Sequence, residues 1–116
     1  MRKLALLTVL LALPLAAFAG ENVTVSGVLV DKMCSGETKT TEKALEHSKD
    51  CALMDQCAAS GFGVVTAEGA FLTFDAAGNK KAVEFLKSFK GDQNIKITVQ
   101  GTKEGSALKV TSIKQG

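Results

Sequence analysis

The chain has 116 residues, of which 14 are basic and 12 acidic, and its net charge is +2 at pH 7. Arg2 and Lys3 account for this excess, so residues 20–116 are neutral overall, and they contain no arginine. Proteins that bind nucleic acid normally carry a basic surface, and those that bind single strands also use aromatic stacking. Neutral charge and the absence of Trp and Tyr therefore argue against a nucleic-acid partner and against an anionic membrane surface.

The first 19 residues have the composition of a secretory signal peptide. Two basic residues, an apolar stretch and a group of small residues follow in that order, at Arg2–Lys3, 4–15 and Ala17–Ala19. The apolar run ends at Gly20, short of the about 20 residues that a membrane-spanning helix needs. We therefore predict cleavage after Ala19, export to the periplasm or the exterior, and one soluble domain at 20–116 without a membrane anchor.

The first predicted element of this domain is a strand at Asn22–Val30, where β-branched residues favour extended structure. Gly27 within it indicates a bulge or the close approach of another backbone. Residues 31–40 are polar, and Thr41–Ser60 then runs without glycine or proline, which predicts helical structure. The region around Ser48 allows either one continuous helix or two short ones, the second capped by Ser48.

The second half of the chain indicates two β-hairpins separated by a short amphipathic helix. The tight turn at Glu68–Gly69 predicts the first hairpin, and alternating apolar and polar residues around the turn TKEG predict the second. Asn79 is the expected cap of the helix. The four strands are predicted at Phe62–Ala67, Ala70–Asp75, Asn94–Gly101 and Ser106–Ile113.

Taken in order, these elements predict a mainly β domain with two helices, an α+β arrangement built on a five-stranded barrel like the OB-fold. One helix lies between strands three and four. The extra helix lies in an insertion at 31–61, between strands one and two. An open five-stranded sheet with both helices on one face is the alternative.

All three cysteines and the only histidine of the chain lie in this insertion, as Cys34, His47, Cys51 and Cys57. On one continuous helix His47, Cys51 and Met54 would share a face. Cys34 would approach from the preceding loop together with Met33. Sulfur and imidazole ligands suit zinc or cuprous copper, and the methionines favour copper. We therefore predict a non-catalytic site for a soft metal or small ligand, with the four cysteine and histidine residues as ligands and Met33 and Met54 as auxiliary groups.

A structural disulfide is a second use of the cysteines. In an oxidising compartment, a bridge from Cys34 to Cys51 or Cys57 would stabilise a small domain and leave one thiol unpaired. Within one unbroken helix, Cys51 and Cys57 would lie roughly 9 Å apart along the axis, too far to bridge.

A thiol redox protein is the third possibility, with His47 beside Cys51 as the base. The chain has no C-x-x-C sequence and no signature of an oxyanion hole, so an enzyme is the least favoured of the three. Asp31, directly after the first strand, is expected only to cap the following loop or to accept a hydrogen bond from a nearby backbone amide.

Three segments resemble a group of small exported bacterial proteins of uncharacterised function: GVLVDKMCSG, HSKDCALMDQCAASGFGVVTAEGAFLTFDAAGN and KITVQGTKEGSALKVTSI. Those proteins pair a first strand followed by D-x-x-C with a later H-x3-C-x5-C segment and a closing β-hairpin. In this chain the pattern falls on Cys34, His47, Cys51 and Cys57. The resemblance covers nearly all of 20–116 and implies export and an OB-like fold, and it assigns no reaction.

Overall fold

The computed structural model describes residues 20–116, so the predicted signal peptide and its cleavage after Ala19 lie outside the described residues. Within 20–116 there are five strands, four short α-helices and one 3₁₀ turn. The strands are β1 (Glu21–Asp31), β2 (Phe62–Thr66), β3 (Phe71–Phe74), β4 (Lys96–Glu104) and β5 (Ala107–Gln115). The helices are α1 (Thr41–Glu46), α2 (Lys49–Ala52), α3 (Asp55–Ala59) and α4 (Ala76–Ser88), and the 3₁₀ turn is Lys32–Cys34. None of these helices combines the length and apolarity needed to cross a bilayer.

The strands form a closed barrel in the order β1-β2-β3-β5-β4. β1 pairs antiparallel with β4 along its first part and with β2 along its last part. β3 and β5 complete the barrel through a short parallel pairing. The predicted mainly β class and the five-stranded barrel are confirmed, and the arrangement is consistent with a small OB-like fold. The open sheet is wrong.

Gly27 lies where β1 passes from one neighbour to the other, since it pairs with Thr66 of β2 and with Ile97 of β4. A Cβ atom at Gly27 would overlap the carbonyl oxygen of Val65. The predicted close approach of another backbone is therefore confirmed, and only glycine fits it without displacing β2.

The barrel interior is filled by one apolar cluster to which all five strands and α4 contribute. Alternate residues of each strand face inward, as the pleat requires, and Ala82 and Leu86 of α4 are fully buried against them. The insertion is anchored to the barrel at two points. Ala52 of α2 joins the interior cluster, and Ala44 of α1 packs with Val28, Val30 and Val65 in a second cluster.

The start of α4 differs from the prediction. Asp75, rather than Asn79, is the cap, because its Oδ1 accepts hydrogen bonds from the backbone amides of Gly78 (3.0 Å) and Val110 (3.1 Å). Asn79 lies inside the helix, and its Oδ1 accepts a hydrogen bond from the amide of Phe62 at 2.9 Å. Gly78 is buried in the helix, and a Cβ there would press on Val110.

Asp75→Ala is expected to lower the free energy of unfolding by about 2–3 kcal/mol, because it removes a helix cap and leaves the buried amide of Val110 without its acceptor. Urea denaturation measures the change. Glu68→Ala, in the exposed β2–β3 turn, is the control and should stay within about 0.5 kcal/mol of the parent. Equal stability of the two variants would contradict the assigned role of Asp75.

The insertion contains three short helices instead of one or two. α1 ends at Glu46, and His47 is extended with ψ of 129°. Ser48 caps α2 through a hydrogen bond from the amide of Cys51, so of the two alternatives left open by the sequence, the break at Ser48 is the one observed. Met54, with ψ of 142°, separates α2 from α3. The continuous helix that would place His47, Cys51 and Met54 on one face is therefore wrong.

Candidate metal-binding site

Asp31, the last residue of β1, is fully buried and lies at the centre of the site. Its Oδ1 is 2.6 Å from Nε2 of His47, and its Oδ2 accepts a hydrogen bond from the backbone amide of Cys34 at 3.1 Å. The side chain of His47 is itself only 9% exposed. Both carboxylate oxygens thus have a partner, as a buried carboxylate requires.

The carboxylate is ionised at neutral pH. Burial by itself would raise the pKa of Asp31, but the hydrogen bonds from His47 and from the Cys34 amide, with the charge of His47, outweigh burial and lower that pKa. An ionised carboxylate can only accept hydrogen bonds, so Nε2 of His47 carries the hydrogen between them. A ring that binds a metal ion gives up any proton on Nδ1, and the lone pair of that nitrogen then becomes the ligand while Nε2 keeps its hydrogen toward Asp31.

Cys34 completes a compact group. One ligand atom from each of Asp31, Cys34 and His47 lies within 4.8 Å of the other two. Zinc binds sulfur at about 2.3 Å and nitrogen or oxygen at about 2.0–2.2 Å, so the ligand atoms of a tetrahedral ion lie roughly 3.4–3.7 Å apart. The group could therefore hold one metal ion after the side chains approach one another by about 1 Å, and it offers one oxygen, one nitrogen and one sulfur.

A second thiol and a thioether lie beside this group. Sγ of Cys57, buried in α3, is 3.9 Å from Sδ of Met33. Cys57 and Cys34 are close enough for each to affect the pKa of the other. Ser60 holds the two elements together, because its Oγ accepts a hydrogen bond from the amide of Met33 at 3.0 Å and donates one to the carbonyl of Cys57 at 2.6 Å.

The two thiols of this region are protonated at neutral pH. Burial and the negative charge of Asp31 raise the pKa of Cys34 to about 12. The same two causes raise the pKa of Cys57. Because the thiolate is the reactive form of cysteine, neither residue has the low pKa that a thiol redox protein would need.

Alkylation of Cys34 in the folded, metal-free protein is expected to be about a thousandfold slower at pH 8 than that of a thiol with an unperturbed pKa, because its thiolate fraction is lower by that factor. The rate should rise about tenfold per pH unit up to about pH 12. Peptide-resolved mass spectrometry after iodoacetamide treatment measures it, with the urea-unfolded chain as control. A rate that levels off near pH 9 would show that only steric protection operates.

The structure brings together some of the predicted ligands and leaves others outside. Cys34 and His47 lie in the compact group, and Cys57 lies at its edge. Cys51 of α2 is outside the group of three, although it lies close enough to raise the pKa of Cys34, and Met54 is 59% exposed. All three cysteines are free thiols, so neither predicted bridge, Cys34 to Cys51 or Cys34 to Cys57, is present in this structure.

Asp31 is the residue that the sequence interpretation undervalued. Its predicted hydrogen bond to a nearby amide is confirmed at Cys34, but its contact with His47 was not foreseen. The available signal was an acidic residue directly after an apolar strand and three residues before a cysteine. Such a carboxylate must be buried with the end of its strand, and a buried carboxylate needs a partner.

Comparison of the chain with known protein families, with curated proteins and with solved structures found no match. The function must therefore be inferred from the geometry of the site itself.

Proposed function

We propose that this domain is a non-catalytic metal-binding module that holds zinc at Asp31, Cys34 and His47. The observation that carries the proposal is the spacing of their ligand atoms, all within 4.8 Å of one another. The three residues come from β1, the 3₁₀ turn and the α1–α2 junction, so the folded insertion is needed to assemble them.

The charge of the site favours a cation. Asp31 is ionised and fully buried, and its side-chain partner is His47, whose side chain is also almost fully buried. A bound metal would displace the proton of Cys34, because a thiol that ligates a metal is deprotonated outright. The cation would then offset the buried negative charges of the Asp31 carboxylate and the Cys34 thiolate. Without the cation, the imidazole of His47 is the side chain that compensates the carboxylate.

Asp31 can contribute in two ways. It can ligate the ion through a carboxylate oxygen, or it can hold the ring of His47 by accepting the Nε2 hydrogen while Nδ1 binds the ion. The second arrangement is common in metal proteins, where a carboxylate orients the ligating histidine and raises its basicity. Cys57, adjacent to Cys34, is the natural source of a fourth ligand.

The proposal includes export of the domain and an OB-like barrel with the site in the insertion between its first two strands. The signal-like residues 1–19 and the resemblance to exported bacterial proteins support the first part. The closed five-stranded order supports the second, because loops between strands one and two of OB-folds border the face that binds ligands.

Two measurements on the same sample test the proposal. The protein is purified without chelator, weighed by native mass spectrometry, and then unfolded and alkylated. We expect one metal ion per chain and three alkyl groups after its release. Cobalt(II) added to the reduced, metal-free protein should give thiolate-to-cobalt absorption that saturates at one equivalent and disappears when zinc is added.

Two results would contradict metal binding. One alkyl group and no ion would mean that two cysteines are bridged, which is the structural-disulfide alternative. Three alkyl groups, no ion and no saturable cobalt absorption would mean that the thiols are free and that the three residues hold no metal.

A further inference from the structure

Met33 combines a solvent-exposed side chain with a specific sulfur contact. It is 56% exposed, so its apolar side chain gains little of the stabilisation that burial would give. Its Sδ nevertheless lies 3.9 Å from Sγ of the buried Cys57. Met54 is the other large apolar side chain that is exposed within 20–116, and it serves below as the comparison.

The backbone around Met33 is held at both ends. The amide of Met33 donates to Ser60 at the end of α3, and the next amide, that of Cys34, donates to Asp31 at the end of β1. The 3₁₀ turn is therefore fixed between the barrel and α3. As a result, the sulfur atoms of two consecutive residues are held beside that of Cys57 without depending on a flexible loop.

We propose that Met33, Cys34 and Cys57 form a sulfur-only site for a monovalent soft cation, Cu(I) or Ag(I), which enters past the exposed thioether of Met33. This inference rests on the proposed function, because Cys34 belongs to both ligand sets. Thiolate and thioether sulfur are the ligands that select Cu(I) in proteins, whereas carboxylate oxygen favours harder ions. On binding, the two thiol protons pass to solvent as the sulfur–metal bonds form, and no electron is transferred.

The two ligand sets differ in access as well as in chemistry. Asp31 is fully buried and Cys57 nearly so, whereas Met33 borders both solvent and Cys57. A cation arriving from solution or from another sulfur-rich carrier would therefore meet Met33 first. Zinc, which prefers four ligands and accepts nitrogen and oxygen, would depend on Asp31 and His47 and would not require the thioether.

The test compares Met33→Leu with Met54→Leu, two equal changes at equally exposed positions. Silver(I), which undergoes no redox chemistry here, is added to the reduced full-length protein and followed by calorimetry. Cu(I) is then tested anaerobically against a coloured Cu(I) chelator. Met33→Leu should weaken the binding of both Ag(I) and Cu(I) by about tenfold or more, because a soft ligand is lost. The affinity of Met54→Leu for both ions should stay within about twofold of the parent, since Met54 is outside the ligand set. Met33→Leu should leave cobalt(II) binding unchanged.

Methyl NMR of the two methionines gives an independent readout. The ε-methyl resonance of Met33 should shift on addition of silver(I), and that of Met54 should not. An unmoved Met33 resonance, or unchanged silver affinity in Met33→Leu, would overturn the sulfur-only site while leaving cobalt binding at Asp31, Cys34 and His47 intact. If neither cobalt nor silver binds, the proposed function fails together with this inference.

Discussion

His47→Ala is expected to lower the free energy of unfolding of the metal-free protein by about 3–5 kcal/mol at pH 7, the usual cost of leaving a buried charge without its partner. The substitution removes the Nε2 donor 2.6 Å from Asp31. It leaves a fully buried, ionised carboxylate with the Cys34 amide as its remaining partner. Because small domains are stable by only about 5–15 kcal/mol, this loss would be a large fraction of the total stability.

The pH dependence separates this cause from a simple loss of packing. In the parent protein the pKa of Asp31 is lowered, so its contribution to stability is present above the unfolded pKa and is lost as the pH falls through the folded pKa. Without His47, burial raises the pKa of Asp31, and the variant should gain stability relative to the parent as the pH falls toward 4.

Urea denaturation between pH 4 and pH 8, with chelator present, measures both effects. The double variant Asp31→Asn/His47→Ala is the matched control, because it has no buried charge and should recover part of the loss at pH 7. A loss below about 1 kcal/mol for His47→Ala would mean that solvent replaces the imidazole and that the pair is not effectively buried.

Cys34→Ser is expected to weaken cobalt(II) and zinc binding at least about 100-fold, more than the usual effect of removing a residue that only orients a ligand. Cys34 supplies the one sulfur among the three residues of the group. A serine hydroxyl is smaller and harder, and it does not ionise when zinc or copper binds under these conditions. Its replacement should therefore remove the thiolate-to-cobalt absorption as well as the affinity.

Cys51→Ser is the control for this measurement, because it makes the same chemical change at a half-buried cysteine of the same insertion. Competition against a zinc chelator should give an affinity within a few-fold of the parent for Cys51→Ser. Equal losses of metal affinity in both variants would mean that Cys51 of α2 is also a ligand, and our assignment of the group around Asp31 would be wrong.

The barrel could be predicted from the sequence because its determinants are local. Strands with one buried face alternate in polarity, and the Glu68–Gly69 turn marks the first hairpin clearly. Gly27 within the first strand likewise indicated a bulge or a close backbone contact. The predicted strand ends differ from the observed ones by a few residues at most, whereas the insertion has three short helices where one or two were predicted.

The site could be predicted only in part because its determinants are not local. Sequence spacing placed His47 on a helix face, but the chain becomes extended there, where the ring contacts Asp31 sixteen residues earlier. The break at Met54 has no glycine, no proline and no side-chain cap, so the local sequence does not predict it. Spacing thus identified the correct cysteine and histidine at positions 34 and 47 but placed Cys51 and Met54 beside them on a helix that does not exist.

The short parallel pairing between β3 and β5 has a consequence for how the barrel opens. It joins two residue pairs, Thr73 with Ala107 and Phe74 with Leu108, whereas β1 is paired along nearly its whole length. In a ring of five strands the β3–β5 pairing lies opposite β1. Amide hydrogen exchange should therefore begin at β3 while β1 stays protected. When the barrel opens transiently between β3 and β5, β1 would stay paired, and the carboxylate of Asp31 would keep its position relative to its neighbours.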